Sequence, residues 1–298
     1  MITREEITAF FKWLQQDIIS QLEEMDGKGK FVSDPWDRPG GGGGITRVLA
    51  NGNIIEKGGV NFSAVWGEMP QNIAKKLQLE ANEFYATGVS IVLHPENPMV
   101  PIIHMNVRYF EMGNGEYWFG GGIDLTPHYI VDEDAKFFHE ELKKTCDKHN
   151  PNFYTDYKKW GDDYFYLTHR KETRGVGGIF FDRLKHNDSI TKEQLFEFVK
   201  DVGNTFCKVY VPIASKHAND SYTDAHKKWQ KVRRGRYVEF NLIYDKGTKF
   251  GIDTDGRTES IFISLPPEVE WHYNYPVADG SEEAVTQAKL VKGKDWIL

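Results

Sequence analysis

The chain has 298 residues, of which 40% are hydrophobic and 27% charged, as in ordinary globular proteins. Its net charge of −7 lacks the basic surplus of nucleic-acid-binding proteins, so no nucleic acid is expected as a partner. The two cysteines, Cys146 and Cys207, show no metal-type spacing, so we expect no disulfide framework. Apolar runs such as Val89–Leu93 are far shorter than the ~20 residues that cross a bilayer. The N-terminus is typical of an amphipathic helix rather than a targeting signal, and we expect a cytoplasmic protein with no membrane partner.

The first part of the chain predicts one helix followed by short strands. Apolar residues recur at helical spacing over residues 3–25, and Asp26-Gly27 ends that helix. Residues 34–44 (DPWDRPGGGGG) predict a mobile loop. Its glycine run, Gly40–Gly44, lacks the Lys-Ser/Thr of a P-loop, and we interpret it as a flexible lid. Beyond it, the pattern predicts strands near 46–49, 53–56 and 60–66 and a helix over 70–86.

The remaining elements indicate the fold class. The pattern predicts strands at Val89–His94, Ile102–Phe110, Tyr117–Leu125, Arg236–Tyr244 and Ser260–Leu265, helices over 132–148, 155–172, 191–218 and 221–232, and a turn at Asp245-Lys246-Gly247. Because strands come in adjacent runs rather than alternating with helices, we expect an α+β fold with a mostly antiparallel sheet. No change in composition divides the chain, so we expect a single domain over residues 1–298.

Two of these strands predict a shared polar face. Side chains alternate between the faces of a strand, so Ile102–Phe110 places His104, Asn106 and Arg108 together, opposite an apolar face. Antiparallel pairing with Val89–His94 places Ser90 opposite Asn106. A solvated sheet face is the plain alternative, but such faces usually carry Lys, Glu and Thr. We therefore interpret the shared face as a candidate site.

Three long segments carry a specific resemblance. Residues 88–127 contain GVSIVLHPENPMVPIIHMNVRYF and YWFGGGIDLTP, residues 158–182 read KKWGDDYFYLTHRKETRGVGGIFFD, and residues 233–267 read RRGRYVEFNLIYDKGTKFGIDTDGRTESIFISLPP. In this order they resemble the oxygen-dependent coproporphyrinogen oxidases, and the likeness runs from about Gly41 to Trp296. Two positions depart from the family pattern: Gly161 stands where the family usually has cysteine, and Asp255-Gly256 where it tends to have two glycines.

The resemblance implies an activity and an assembly. The activity is the oxidative decarboxylation of two propionates of coproporphyrinogen III to vinyl groups, giving protoporphyrinogen IX, CO₂ and H₂O₂ in haem biosynthesis. Dioxygen is the co-substrate and no cofactor is required. The resemblance further implies an α+β fold with a large, mostly antiparallel sheet flanked by helices on both sides. The assembly is a single-domain homodimer with its substrate cavity between the sheet and the covering helices, and with a dimerisation region at Tyr237–His272.

The resemblance also implies roles for individual residues. Asp124 resembles the aspartate that faces the pyrrole N–H groups and is expected to be the base, and His104 resembles the proposed proton donor. Arg108 and Arg257 are expected to hold carboxylates, because a guanidinium binds a carboxylate through two hydrogen bonds. The other expected substrate contacts are Ser90, Asn106, Val107, Asp255 and Gly256. Arg170 and Arg174 are predicted one turn apart on a helix, where they either contact carboxylates or pair with Glu172.

A divalent metal is left open at this point. His94, His104, His139 and His169 match four histidines sometimes assigned to a metal site in the family. Their spacing is not a local ligand motif, and dispersed histidines are more often hydrogen-bonded structural residues. Two other interpretations also remain: a metal-dependent oxygenase of another aromatic acid, and a tetrapyrrole carrier that would need the arginines but not Asp124.

Overall fold

The computed structural model describes residues 2–68, 83–253 and 256–298. An antiparallel sheet of seven strands forms its centre, and a separate two-stranded hairpin lies outside it. The strands are β1 (Val32–Asp37), β2 (Gly42–Ala50), β3 (Ile55–Glu68), β4 (Glu83–Pro95), β5 (Ile102–Met112), β6 (Tyr117–Thr126), β7 (Tyr166–Leu167), β8 (Glu172–Thr173) and β9 (Gly177–Leu184). The sheet runs in chain order from β1 to β6 and ends with β9, whereas β7 and β8 form the hairpin.

Helices lie on both sides of this sheet. They are α1 (Arg4–Asp26), α2 (Asp132–Asp147), α3 (Phe153–Tyr164), α4 (Lys192–His217), α5 (Asp224–Ile243), α6 (Lys246–Asp253), α7 (Thr258–Phe262) and α8 (Glu282–Lys289). Thr3, Thr191 and Thr223 begin α1, α4 and α5 with capping boxes, which pair otherwise unbonded N–H groups of the first turn. Within the described ranges, no helix combines the length and apolarity that crossing a membrane requires.

The main core lies between one sheet face and helices α1, α2 and α4. Ile91 and Met105 are opposed on β4 and β5, and Ile123 faces Met105 from β6. All three side chains are fully buried, and burying such a side chain contributes about 1.5–3 kcal/mol. The predicted apolar face of β5 is confirmed, as is the α+β class with an antiparallel sheet between helices.

The opposite sheet face is covered at one end by α5 and by the residues after α7. Tyr237 of α5 packs on Val92 and Ile102. Ile263 lies so close to Gly59 that a Cβ on the glycine would be 2.5 Å from its Cγ1. The covering is therefore tight over the end of β4 that leads into β5.

Two strands predicted near the C-terminus are wrong. Arg236–Tyr244 lies largely within α5, and Ser260–Leu265 overlaps α7. In the first segment, alternating β-branched and aromatic residues mimic a strand, but the helix that starts after Thr223 continues through it and buries Tyr237 and Phe240. Short apolar runs do not distinguish a strand from a buried helix.

The turn predicted at Asp245-Lys246-Gly247 is only partly right. Lys246 already begins α6. The side chain of Asp245 accepts a hydrogen bond from the backbone N–H of Thr248 at 2.6 Å, as a residue at a helix N-terminus does.

The predicted mobile loop at 34–44 is also wrong. Most of it forms β1 and the start of β2, with only a short turn between them. Gly44 lets the indole of Trp36 lie across β2, because a Cβ there would be 2.5 Å from Trp36 Cζ2. Gly42 has a φ of 80°, which favours glycine. The glycine run therefore builds an edge of the sheet and not a lid.

Other boundaries differ from the prediction. The helix predicted over 155–172 ends at Tyr164, and the chain reverses near Lys171, whose φ of 56° is in the left-handed region. The predicted strands 53–56 and 60–66 are one strand, β3. Most of the helix predicted over 70–86 lies outside the described residues, and its last four residues belong to β4. Strand β9 and helix α8 were not predicted.

A buried carboxylate joins the end of α1 to the β2–β3 connection. Asp26 is buried, and its two carboxylate oxygens accept hydrogen bonds from the backbone N–H groups of Gly29, Asn53, Ile54 and Ile55 at 2.6–2.9 Å. Burial by itself would raise the pKa of Asp26, but these N–H donors hold it below its ordinary value.

We expect Asp26→Asn to lower the free energy of unfolding at pH 7 by about 2–3 kcal/mol, because several charge-assisted hydrogen bonds are weakened. Since the folded-state pKa is lowered, this stabilisation is present above a pH of about 4 and is lost as the pH falls. Urea unfolding of both proteins between pH 3 and 7 measures it. Asp17→Asn on the same helix is the control, because the side chain of Asp17 accepts a hydrogen bond from the Gln21 side chain and not from buried backbone N–H groups. An equal loss in both variants at every pH would contradict the prediction.

Candidate functional site

A row of directly opposed polar residues crosses the sheet on the face away from the main core. The row runs Asp34, Thr46, Asn61, Ser90, Asn106 and ends at Gly122. Opposed residues of an antiparallel sheet point to the same side, so we call this surface the polar face. The register between β4 and β5 confirms the predicted opposition of Ser90 and Asn106. His104 lies on the same strand, two residues before Asn106.

The inner end of the polar face holds a charged group of three side chains, which we call the inner group: His104, Asp124 and Arg174. His104 and Asp124 are opposed on β5 and β6, with 2.8 Å between Nδ1 and Oδ1. Arg174 follows β8 and donates to both carboxylate oxygens, from Nη2 to Oδ1 at 2.6 Å and from Nε to Oδ2 at 3.0 Å. The carboxylate thus uses both oxygens within the protein.

The two charged side chains of the inner group, Asp124 and Arg174, are shielded from solvent. The side chains of Asp124 and Arg174 are 0% and 3% exposed. Burial would raise the pKa of Asp124, but the charge of Arg174 and the hydrogen bond with His104 keep it below the ordinary value. Burial would likewise lower the pKa of Arg174, and the Asp124 charge raises it above its usual range. Both groups are therefore ionised, as a buried ion pair with good geometry allows.

His104 forms the accessible part of the inner group. Its side chain is 19% exposed. With the Nδ1–H donated to Asp124, the ring presents Nε2 as an acceptor, because hydrogen bonding at one ring nitrogen selects the tautomer. A proton can therefore enter or leave through Nε2 of His104, whereas the Asp124 carboxylate has no exposed surface.

Aromatic rings enclose the guanidinium of Arg174. Its Cζ lies 4.7 Å from the ring centres of Phe165 and Tyr237 and 4.3 Å from that of Phe240, distances typical of cation–π contacts. Its Nη1 donates to Asn241 Oδ1 at 3.1 Å. The sequence left open whether Arg174 contacts carboxylates or pairs with Glu172, and the structure shows that its partner is Asp124.

The middle of the polar face holds a second, more open ion pair. Arg108 donates from Nη1 to Asn106 Oδ1 at 2.7 Å and from Nη2 to Asp182 Oδ1 at 2.8 Å. The two charged side chains are 34% and 25% exposed. Sequence reasoning missed Asp182, although it ends the second family-like segment and follows an apolar run typical of a strand.

The other predicted substrate contacts lie in different surroundings. Arg257 donates from Nη2 to Asp34 Oδ2 at 2.5 Å, at the edge of the sheet. Gly256 bonds through its N–H to Gly251 O at 2.8 Å, and Asp255 lies outside the described residues. The side chain of Val107 is fully buried in the main core, so it does not contribute to the polar face.

Two of the four histidines considered as metal ligands are buried in separate hydrogen-bonding sites. Nε2 of His94 lies 2.8 Å from Ser264 O. His139, on α2, contacts Tyr154 Oη at 3.1 Å and Val176 O at 2.9 Å. Burial lowers both pKa values, that of His139 to about 4 and that of His94 well below its ordinary value, where the Arg234 charge contributes as well.

The remaining histidine of that set lies near the surface. His169 contacts Tyr244 Oη and a Glu239 oxygen, each at 2.8 Å. In the part of the chain that the structure describes, no group of three or more His, Cys, Asp or Glu side chains is arranged to hold a metal ion. The structure thus does not bring the four histidines together.

The helical spacing expected for Arg170 and Arg174 is wrong as well, because both residues follow the end of α3. Arg170 donates through Nε and Nη2 to Glu239 at 2.8 and 2.7 Å, away from the inner group. Gly161 does lie on α3, where a Cβ would be 2.8 Å from Gly178 O. A cysteine at this position would therefore push α3 away from β9.

Comparisons with known proteins show which family the chain belongs to. A family model described as Coproporphyrinogen III oxidase matches residues 6–296. The chain is 46% identical to coproporphyrinogen-III oxidase 1, chloroplastic, of Arabidopsis thaliana, over 95% of this chain and 76% of the relative. It is 48% identical to the mitochondrial oxygen-dependent coproporphyrinogen-III oxidase of Mus musculus, over 95% of this chain and 66% of the relative. For the chloroplastic oxygen-dependent enzyme of Glycine max, the identity is 47% over 95% and 77%.

We expect Arg174→Met to lower the free energy of unfolding by about 3–5 kcal/mol, because it leaves the Asp124 carboxylate buried without a counter-charge. Adding Asp124→Asn to this variant removes the unpaired charge and should recover at least half of the loss. Urea unfolding of the two single variants and the double variant measures the coupling. Additive losses would show that the two side chains do not stabilise each other.

Proposed function

The chain belongs to the coproporphyrinogen III oxidase family, and we propose that its polar face binds coproporphyrinogen III and converts two of the propionates to vinyl groups with O₂. For each propionate, a carboxylate, one proton and O₂ give a vinyl group, CO₂ and H₂O₂. The products are protoporphyrinogen IX and two equivalents each of CO₂ and H₂O₂. The chain is accordingly an oxidoreductase of haem biosynthesis.

One observation carries the placement of the reaction on this face. His104 and Arg108 point to the same side of β5 and are four residues apart, which corresponds to about 13 Å along a strand. This separation suits a macrocycle whose pyrrole N–H groups lie near its centre and whose acid arms extend from its rim. The row of neutral polar side chains beside them, Ser90 and Asn106, suits hydrogen bonds to that arm.

The inner group supplies the proton transfer in this proposal. A porphyrinogen has electron-rich pyrroles, and removing a pyrrole proton makes the ring reactive towards O₂. Nε2 of His104 takes this proton, and the ionised Asp124 stabilises the resulting imidazolium, as a buried carboxylate does for a catalytic histidine. Arg174 is a positioning residue because it fixes Asp124. This proposal changes two roles expected from the sequence: Asp124, expected to be the base, acts through His104, and His104, expected to donate a proton, accepts one first.

Carboxylate binding is assigned to the middle and the edge of the polar face. Arg108 keeps N–H groups beyond those it donates to Asn106 and Asp182, since a guanidinium has five. Arg257 and Gly256 remain proposed contacts for a more distant acid arm, and Asp255 remains a proposed substrate contact whose carboxylate has to point away from that arm, since like charges repel. To bind the acid arm, Arg257 has to release Asp34, with which it is paired. This exchange is possible because an exposed ion pair is weak.

The expected assembly and location stay proposals. We propose a homodimer formed through Tyr237–His272, and its support is the group of exposed apolar side chains in this region. These are Leu242, Ile243, Phe250, Ile252 and Trp271. The cytoplasmic location remains a prediction from the sequence. The relatives do not support it, because their names are chloroplastic and mitochondrial.

The activity is tested by incubating the purified, metal-depleted protein with coproporphyrinogen III in air and without oxygen. We expect product only in air, read as protoporphyrin fluorescence after chemical oxidation, and unchanged turnover when a chelator is present. Product formed without oxygen, or turnover restored only by an added metal, would contradict the proposal.

The variant to be compared with the wild-type protein in that experiment is Asp124→Asn, which keeps the shape of the side chain. We expect a loss in kcat of about 10³- to 10⁴-fold with little change in substrate binding, because the histidine loses its counter-charge and its tautomer. Asp201→Asn, on the other side of the sheet between α4 and the end of α2, should retain full activity. A tetrapyrrole carrier would bind substrate equally well in all three proteins and turn over in none.

The dimer is tested by light scattering of the purified chain. The expected mass is twice that of the 34.4 kDa chain. Leu242→Glu with Ile243→Glu should give the monomer mass, because two charges would have to be buried in the interface. Trp13→Glu changes an equally exposed apolar side chain on α1 and should leave the mass unchanged. A monomeric wild-type chain would rule out the dimer.

A further inference from the structure

Asp182 occupies the position that a substrate carboxylate would take on Arg108. We propose that Asp182 is a specificity-determining residue that competes with the acid arm of the substrate for the Arg108 guanidinium and recovers it after the acid arm has left as CO₂. The inference rests on the proposed function, because it assumes that Arg108 binds a propionate.

The contact between these two side chains depends on a glycine. Arg108 is on β5 and Asp182 on β9, and β6 lies between the two strands. Side chains two strands apart are normally separated by the side chain of the middle strand. Here the middle residue is Gly120, where a Cβ would be 2.6 Å from Asp182 Oδ1 and 2.8 Å from Arg108 Nε. The ion pair therefore lies directly on the backbone of β6.

An irregularity in the sheet contributes to the same contact. The pairing of β6 with β9 shifts register between Phe119 and Gly121. The shift adds a residue on β9 beside Gly120, and Asp182 lies in this stretch. Bulges of this kind redirect a side chain and are frequent next to active sites.

The pair of Asp124 with Arg174 and the pair of Arg108 with Asp182 differ in exposure, and this difference decides which of these two can exchange partners. The pair of Asp124 with Arg174 is sealed, and removing one partner would leave a buried charge. In contrast, both members of the Arg108–Asp182 pair are partly exposed. An ion pair in contact with water is weak, so an incoming carboxylate can replace Asp182. The Asn106 hydrogen bond holds the guanidinium in place during the exchange.

The competition has a direct consequence for what binds. A ligand with an acid arm at this position has to displace Asp182, whereas a ligand without that arm leaves the ion pair intact. Asp182 therefore weakens the binding of the acid and has no effect on a vinyl group. After decarboxylation the neutral vinyl group cannot hold the guanidinium, and Asp182 returns to it. Each acid arm is thus bound only until its CO₂ has left.

The test compares two stable porphyrins as probes: coproporphyrin III, with four carboxylates, and protoporphyrin IX, with two. Their affinities are measured by fluorescence titration of the wild-type protein and of Asp182→Asn. We expect Asp182→Asn to bind coproporphyrin III about five- to tenfold more tightly, because the competing carboxylate is gone. Its affinity for protoporphyrin IX should stay within about twofold, and the gain for coproporphyrin III should shrink at high salt.

Two variants separate competition from other effects. Asp201→Asn removes the same charge on the other side of the sheet and should change neither affinity, which excludes an effect of net charge. Asp182→Glu keeps the competing charge and should retain the wild-type ratio of the two affinities. In turnover, Asp182→Asn should show a lower KM together with a lower kcat.

Weaker or unchanged binding of coproporphyrin III by folded Asp182→Asn would overturn the inference and leave Asp182 as an orienting residue. That result would not affect the proposed function as long as the wild-type protein binds and converts its substrate. If the wild-type protein bound neither porphyrin, the proposed function and this inference would both fail.

Discussion

The buried ion pair of Asp124 and Arg174 is the interaction on which the site depends. A carboxylate without exposed surface stays ionised here because a guanidinium bonds both of its oxygens and His104 bonds one of them. This requirement brings the hairpin of β7 and β8 against the sheet and brings the aromatic residues of α5 against the arginine. It also places Nδ1 of His104 2.8 Å from Asp124 Oδ1 and 3.5 Å from Arg174 Nη2, so that Nε2 is the ring nitrogen directed away from the carboxylate. Charge, position and tautomer in the inner group follow from this single pairing.

Glycines in β6 give the polar face its second property, which is the close approach of neighbouring side chains to the backbone. At Gly120 the missing side chain is replaced by an ion pair between two strands that are not neighbours. At Gly122 the row of polar side chains ends, and a Cβ there would be 3.2 Å from Cδ2 of Phe180. Charged side chains on non-neighbouring strands are normally held apart by the side chain of the strand between them. Here β6 has a glycine at that position, so Arg108 of β5 and Asp182 of β9 are in contact. The sealed pair of Asp124 with Arg174 and the more open pair of Arg108 with Asp182 thus lie on the same surface.

The two faces of the sheet thus have separate tasks. The face towards α1, α2 and α4 is apolar and closely packed, which stabilises the strands that carry the site. On the polar face, α5 covers the inner group and leaves Arg108 partly exposed. The closely packed face supports the strands, and the polar face is covered at one end and open at the other. This arrangement suits the proposed substrate, because its reactive ring has to be shielded while its acid arms exchange with water.

The sequence by itself determined the α+β class, the pairing of Ser90 with Asn106 and the separation of apolar and polar faces on β5. These features are local, since strand alternation and the register of a short connection are set by nearby residues. Only the tertiary structure decided that Arg174 pairs with Asp124, that Asp182 reaches Arg108 and that the segment around Tyr237 is helical. In each case the partners lie about 50 or more residues apart or on non-neighbouring strands, and an apolar run that fits a strand is stabilised as a helix by what it packs against. Periodicity shows which side chains share a face, whereas the ion pairs that make this face a site form only when distant segments meet.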